Sequence, residues 1–468
     1  MSVNPVETNY GWIQGIPMNG FTVFRGIPYA KPPIGDLRFA PPRKPDPFNG
    51  IYQADHFGHR GPSSPPMEFY KKEFAYDNTE FFTNQDEDCL YLNIWTPAEH
   101  GGEKLPVAFW IHGGAFMNGC GSEIEFDGEA YCRKGIILVT INYRLGFAGF
   151  LAHPWLCDEQ GGHSGNYGLL DQIAALTWVK ENIAAFGGDP NRITIFGQSA
   201  GAMSVQHLIS SPLTEDMISG AILQSGGMYK TALTAPLDME RACEYGMMLM
   251  DYLGIEDISE LRSISQQKLL EAQQFVMEKA LSDNTVDVKI PTSPVLDHYV
   301  LCEPLDAAAD GGRTKKIPYM LGYTTNDLMK HEELVALGDD SEDPGPIAPA
   351  TQALAQVLEK SGSDAYVYCF RHRPLGDNAG AFHSSELWYM FGTLDRSWRP
   401  KSREDYLLSE QMLKYWTNFM KTGNPNQPGD AHGEEIDLQM ERNTSEDVYT
   451  KPWKRYSAED QTTVMQLF

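Results

Sequence analysis

The sequence predicts an α/β fold: a mostly parallel central sheet with helices on both faces and helical insertions capping its site. Strand-like and helix-like segments alternate from residue 88 onward, the rhythm of a parallel sheet crossed by helices. A β-branched run ends in Gly197-Gln198-Ser199-Ala200-Gly201 and continues as a helix-compatible stretch free of proline and interior glycine. Strand, sharp turn and helix thus follow one another with a serine at the apex. An earlier apolar run ends in His112-Gly113-Gly114-Ala115, whose small residues allow close backbone approach.

The elements follow in order. Residues 19–47 mix short extended segments with prolines, which suits an edge hairpin and an irregular wrapping segment. Residues 61–85, rich in proline, acid and aromatics, read as loop. Strands are expected at 88–95, 105–111 and 136–143, then an amphipathic helix at 168–185 ended by Gly187-Gly188. Further strands are expected at 193–196, 221–224, 317–322 and 365–370. Residues 231–295 break this rhythm with Met-rich helical sequence, read as an insertion capping the site, and 338–349 read as an acidic loop. With no strong linker and no repeats, residues 1–468 are expected to form a single domain.

Composition excludes several classes. A net charge of −26 and a pI near 4.8 oppose attraction to nucleic acid or anionic lipid. No apolar stretch approaches the ~18 residues of a membrane helix, and the amino terminus lacks the basic start and apolar core of a secretory signal. The expectation is a cytoplasmic protein with no nucleic-acid or membrane partner. Seven scattered cysteines suggest neither a disulfide framework nor a CxxC zinc site. His331-Glu332-Glu333-Leu334-Val335 lacks the second histidine of a zinc motif, and no phosphate-binding loop occurs, so neither metal nor cofactor is expected. A sequon at 443–445 matters only in a secreted protein, and oligomeric state is left open.

The chemistry begins at Ser199. A serine hydroxyl needs a neighbouring base and a third group to orient that base. In this architecture the chain order is serine, acid, histidine. Asp327 follows the 317–322 strand, with Asp297 as the rival acid; His383 lies in a loop after the last strand, with His372 nearly on that strand. Loop placement favours His383, which can reach across to the serine. Gly114, Ala115 and Ala200 are the candidate N–H donors for an oxyanion. Phe116, Phe382, Trp388 and Tyr389 sit beside these segments as candidate pocket aromatics.

Residues 87–97 and 186–201 resemble the two signature segments of the type-B carboxylesterases, the branch of the α/β-hydrolases that includes cholinesterases and para-nitrobenzyl esterases. Phe24-Arg25-Gly26-Ile27-Pro28-Tyr29-Ala30, Gly165-Asn166-Tyr167-Gly168 and Thr422-Gly423-Asn424-Pro425 extend the likeness over essentially the whole chain. It implies a serine esterase acting on small-molecule esters without a cofactor, with His383 as base and Asp327 as acid. It also implies that Ser225 supports the acid by a hydrogen bond.

The chain departs from the family pattern at four points. Asp327 stands where glutamate is usual, Gln198 where glutamate is commoner, and Ala115 where a third glycine is usual. Cys89, paired in secreted relatives, has no cysteine before it. The same triad serves amides, thioesters and carbamates, so these leaving groups stay open beside carboxylic esters. A non-catalytic interaction module of the same fold is the remaining alternative.

Overall fold

The computed structural model describes residues 3–282, 290–327, 345–426 and 465–467. The strands in chain order are β1 (Val6–Thr8), β2 (Gly11–Gln14), β3 (Ile16–Pro17), β4 (Thr22–Pro28), β5 (Ile51–Gln53), β6 (Tyr91–Thr96), β7 (Leu105–Ile111) and β8 (Ile137–Ile141). They continue with β9 (Gly188–Gln198), β10 (Gly220–Gln224), β11 (Leu237–Asp238), β12 (Val295–Leu296), β13 (Tyr319–Thr324), β14 (Ala365–Phe370) and β15 (Met465–Leu467). Ten of them form one sheet in the order β15-β14-β13-β10-β9-β7-β8-β6-β4-β3. From β8 to β15 all pairings are parallel, and β6, β4 and β3 close the other edge antiparallel.

The parallel strands read as continuous apolar runs because both faces are covered. Alternation within β7 shows this: Val107, Phe109 and Ile111 enter one core, while Ala108 and Trp110 enter the other. Trp110 meets Phe126, Phe196 and Phe391 edge to face there. Helix Tyr167–Asn182 covers the first face, runs on as a 3-10 turn to Phe186, and stops at Gly187 with φ +86°. Helix Arg403–Thr422 covers the second, opened by a Ser402–Asp405 capping box and closed by Gly423 in the left-handed region. Behind β8, Arg144 grips Asp171 through Nε and Nη2 at 2.8 and 2.7 Å, both side chains essentially buried.

Strand register decides where function can sit. Ile111 pairs with Gly197, Gly197 with Leu223, Leu223 with Leu321 and Leu321 with Val367. The loops after β7, β9, β10, β13 and β14 therefore leave from one carboxyl edge of the sheet, where open α/β folds place their ligands.

Residues 61–85 are not all loop: Glu68–Glu73 is a helix. Its acidic first residue and basic last turn suit the helix dipole, and Phe69 and Phe74 anchor it on Phe382 and Trp388. The elbow strand is also longer than its apolar stretch, starting at Gly188. The 231–295 insertion contains helices Met239–Leu253, Ile258–Ser263 and Gln266–Ser282. They share a core cluster with Phe147, Leu151, Leu156 and Tyr167. A two-residue parallel ladder of β11 and β12 closes the base of this excursion. The sequon, the His331–Val335 segment and most of 338–349 lie outside the described residues. Helix Ile347–Lys360 begins within the last of these. Among the described residues no helix is long and apolar enough to cross a membrane.

Candidate active site

β9 ends at Gln198 and a helix begins at Ala200, leaving Ser199 alone at the turn with φ +56° and ψ −126°. Such a backbone costs about 1–3 kcal/mol in a non-glycine residue, and the surrounding structure must enforce it. Here Ser199 N–H donates to Gln224 O at 2.8 Å. Gly201 lets the loop after β7 close in, since a Cβ there would lie 2.1 Å from Ile111 O.

The loop after β7 turns through the left-handed region at Gly114 (φ +99°), Ala115 (φ +55°) and Phe116 (φ +59°). A Cβ at Gly114 would meet Asn118 O at 2.2 Å, so glycine is required there. Gly114 O accepts from the N–H groups of Met117 and Asn118. The N–H groups of Gly114 and Ala115 have no partner among the described residues. Ala200 N–H opens its helix, where first-turn donors lack intrahelical acceptors, and no side chain caps it.

Asp327, three residues beyond β13, is 1% exposed. Its Oδ2 accepts from Ser225 Oγ at 2.7 Å and from Thr324 N–H at 3.0 Å, and its Oδ1 faces His383 Nδ1 in a very short contact. Burial alone would depress the His383 imidazole, yet the Asp327 charge and hydrogen bond, with Glu386 adding, hold it above its ordinary value. Buried Glu386 is itself pushed up to about 7, by desolvation first and the Asp327 charge second.

The acid and histidine loops are clamped to one another. Asn326 N–H donates to Ala381 O at 3.1 Å, and Ala381 N–H donates to Asn326 Oδ1 at 3.0 Å. Tyr70 Oη, on the unexpected helix, donates to His383 O at 3.4 Å.

The serine end differs from the expected relay. His383 Nε2 faces the Gln198 side-chain nitrogen at 3.1 Å, and Ser199 Oγ makes no hydrogen bond among the described residues. With Nδ1 protonated toward Asp327, Nε2 is the acceptor and Gln198 the donor. Sequence marked Gln198 only as a variant letter; its contact across 185 positions left no local signal. Asn326 was missed for the same reason.

The rivals are elsewhere. Asp297 Oδ1 accepts from the N–H groups of Tyr299, Val300 and Leu301 within its own turn. His372 Nε2 pairs with Asp405 at 2.7 Å at the start of the 403–422 helix. Two pocket expectations also change. Trp388 is buried with its Nε1 donating to Glu73, and Tyr389 is buried with its hydroxyl donating to Asp405. Both fill the second core because the helix Leu387–Met390 packs inward there. Phe116 and Phe382, also buried, lie against Phe150 and Phe69 in the loop after β7 and the loop of His383. None of the seven cysteines forms a disulfide, Cys89 among them.

A crossover order of this kind, with a serine turn on the carboxyl edge of the sheet, defines the α/β-hydrolase class. The Carboxylesterase family model matches residues 2–343 and 345–467. The chain is 33% identical to fumonisin B1 esterase of Sphingopyxis macrogoltabida, over 91% of its own length and 83% of that protein. It is also 33% identical to para-nitrobenzyl esterase of Bacillus subtilis, with 90% of each covered. The solved carboxylesterase of Geobacillus stearothermophilus superposes with a TM-score of 0.76 at 31% identity, over 99% of this chain and 96% of that one. The chain belongs to the carboxylesterase family, and it is a carboxylic ester hydrolase.

Proposed function

We propose that Ser199 is the nucleophile of this hydrolase, His383 its base, and Asp327 the carboxylate that orients the base and balances its charge. The buried Asp327–His383 contact on the edge that carries the elbow is the observation that supports this most. Ser199 Oγ attacks the ester carbonyl as His383 Nε2 takes its proton, so Gln198 must first release Nε2. Catalytic hydrogen bonds of this kind commonly form only when substrate is bound. The N–H groups of Gly114, Ala115 and Ala200 receive the oxyanion. His383 then passes its proton to the departing alcohol, and water activated by the same nitrogen releases the acid. Ser225 holds Asp327 in line through its hydroxyl.

Small-molecule carboxylic esters are the substrates in this reading, with Phe116 and Phe382 bordering them and no cofactor involved. The whole chain acts as one catalytic domain, and the 231–295 insertion caps the site. Its Gln273 supports this placement: Oε1 accepts Phe147 N–H and Nε2 donates to Ser64 Oγ, while Ser64 N–H donates to Met117 O and Gly146 N–H, next to Phe147, donates to Phe116 O. Cytoplasmic residence belongs to the same reading, supported by seven cysteines of which none is in a disulfide.

A fluorophosphonate probe tests the assignment. One adduct per chain is expected, on the peptide containing Ser199, with loss of ester turnover in proportion to labelling. Labelling elsewhere, or none in a protein that still turns over ester, refutes it.

The pH profile offers a second check. The base acts only when neutral, so kcat/KM falls as pH drops through the His383 pKa. Because that pKa is raised, the acid limb is expected above the ordinary imidazole midpoint. Glu386→Gln removes a charge that favours the imidazolium, so the limb should move to lower pH. A limb that stays in place would show that Glu386 is uncoupled from the base.

A further inference from the structure

We propose that Cys157 and Cys243 form an oxidant-responsive dithiol, which a hydroperoxide converts into a disulfide tying the helical insertion to the body of the protein. Cys89, Cys120, Cys132 and Cys369 are buried and Cys302 is exposed; Cys157 and Cys243 are half-buried. Cys157 sits on helix Pro154–Glu159, and Cys243 on the first helix of the insertion, Met239–Leu253.

Met239 and Cys243 are one helical turn apart, hence on one face, and that face meets Cys157. Its Sγ lies 3.8 Å from Met239 Sδ and 3.0 Å from Ser164 Oγ, and Cys243, one turn on from Met239, brings its thiol close enough to influence it. The helix is held close: a Cβ at Gly246 would fall 2.0 Å from Ala152 O. Two thiols on different elements are thus brought together at a seam that solvent reaches.

Their chemistry is asymmetric in a useful way. The neighbouring Cys243 thiol, then the Ser164 hydroxyl, pulls the Cys157 thiol down to about 6 against the opposing effect of burial. The same contact pushes the Cys243 thiol up. Cys157 is the thiolate nucleophile at neutral pH and Cys243 the resolving thiol. The Cys157 thiolate attacks one peroxide oxygen, the O–O bond breaks, and a sulfenic acid forms as the other oxygen leaves as alkoxide or hydroxide and takes up a proton. Cys243 sulfur then attacks the Cys157 sulfur, the S–O bond breaks, and water leaves with the Cys243 proton. Two electrons pass from the sulfurs to the peroxide.

The full chain, reduced and then treated with hydrogen peroxide, should lose two alkylatable thiols and about 2 Da of mass. A non-reducing digest should join the Cys157 and Cys243 peptides, and dithiothreitol should separate them. Cys157→Ser should abolish the cross-link. Cys243→Ser should leave a dimedone-reactive sulfenic acid on Cys157. Linkage between other cysteines, peroxide consumption indifferent to Cys157→Ser, or a sulfenic acid on Cys157 that persists while wild-type Cys243 stays alkylatable would each overturn the proposal.

Discussion

Ser199→Ala is expected to lower kcat for a short-chain para-nitrophenyl ester by about 10⁴–10⁶-fold, leaving the circular dichroism spectrum and melting behaviour of the parent. The size follows from what is removed: without the hydroxyl no acyl-enzyme forms, and only the oxyanion donors and substrate binding remain to assist water. Stability should hold or rise slightly, because alanine loses no hydrogen bond made by Oγ. The strained φ of +56° is enforced by backbone contacts that the substitution leaves alone. KM, where measurable, should change far less than kcat. A variant retaining more than a hundredth of parental turnover would remove Ser199 from the mechanism.

Asp327→Asn should cost about 10³–10⁴-fold in kcat, with the fold retained. The amide can still accept from Ser225 and Thr324, so geometry survives. What is lost is the charge that keeps Nδ1 protonated and stabilises the imidazolium. Because that charge also holds the His383 pKa up, the acid limb of the residual activity should shift to lower pH. Asp297→Asn is the matched control. Its carboxylate serves three N–H groups of its own turn, so stability should fall modestly while kcat stays within a few fold. The reverse pattern would exchange their roles.

How much of this was legible depended on whether the signal was local. The sheet was readable because each parallel strand is buried on both faces and so appears as an unbroken apolar run; β7 and β14 occur within the expected limits. Ser199 was legible because the elbow compresses strand, apex and helix into a few residues. Asp327 and His383 came from chain order combined with family likeness. Their contact spans 56 positions, beyond any local pattern. Gln198 against His383 and Asn326 against Ala381 were invisible for that reason. The Glu68–Glu73 helix was hidden because six residues are too few to show a period and its anchors, Phe382 and Trp388, lie over 300 positions away. Trp388 and Tyr389 were misread because adjacency to a catalytic loop in sequence says nothing about which way a short helix packs.

The β11–β12 ladder has a consequence for how this protein can change. Leu237 pairs with Val295 and Asp238 with Leu296, so the excursion between them departs from and returns to a single point. Its length is then nearly free of the distance its ends must span, and each doubling of a closed segment costs only about 0.6 kcal/mol in closure entropy. A change in its length need not disturb strand register or the serine turn, provided the face its helices pack on Phe147, Leu151, Leu156 and Tyr167 is kept. If the insertion caps the site as proposed, substrate preference can diversify there while the chemistry stays fixed.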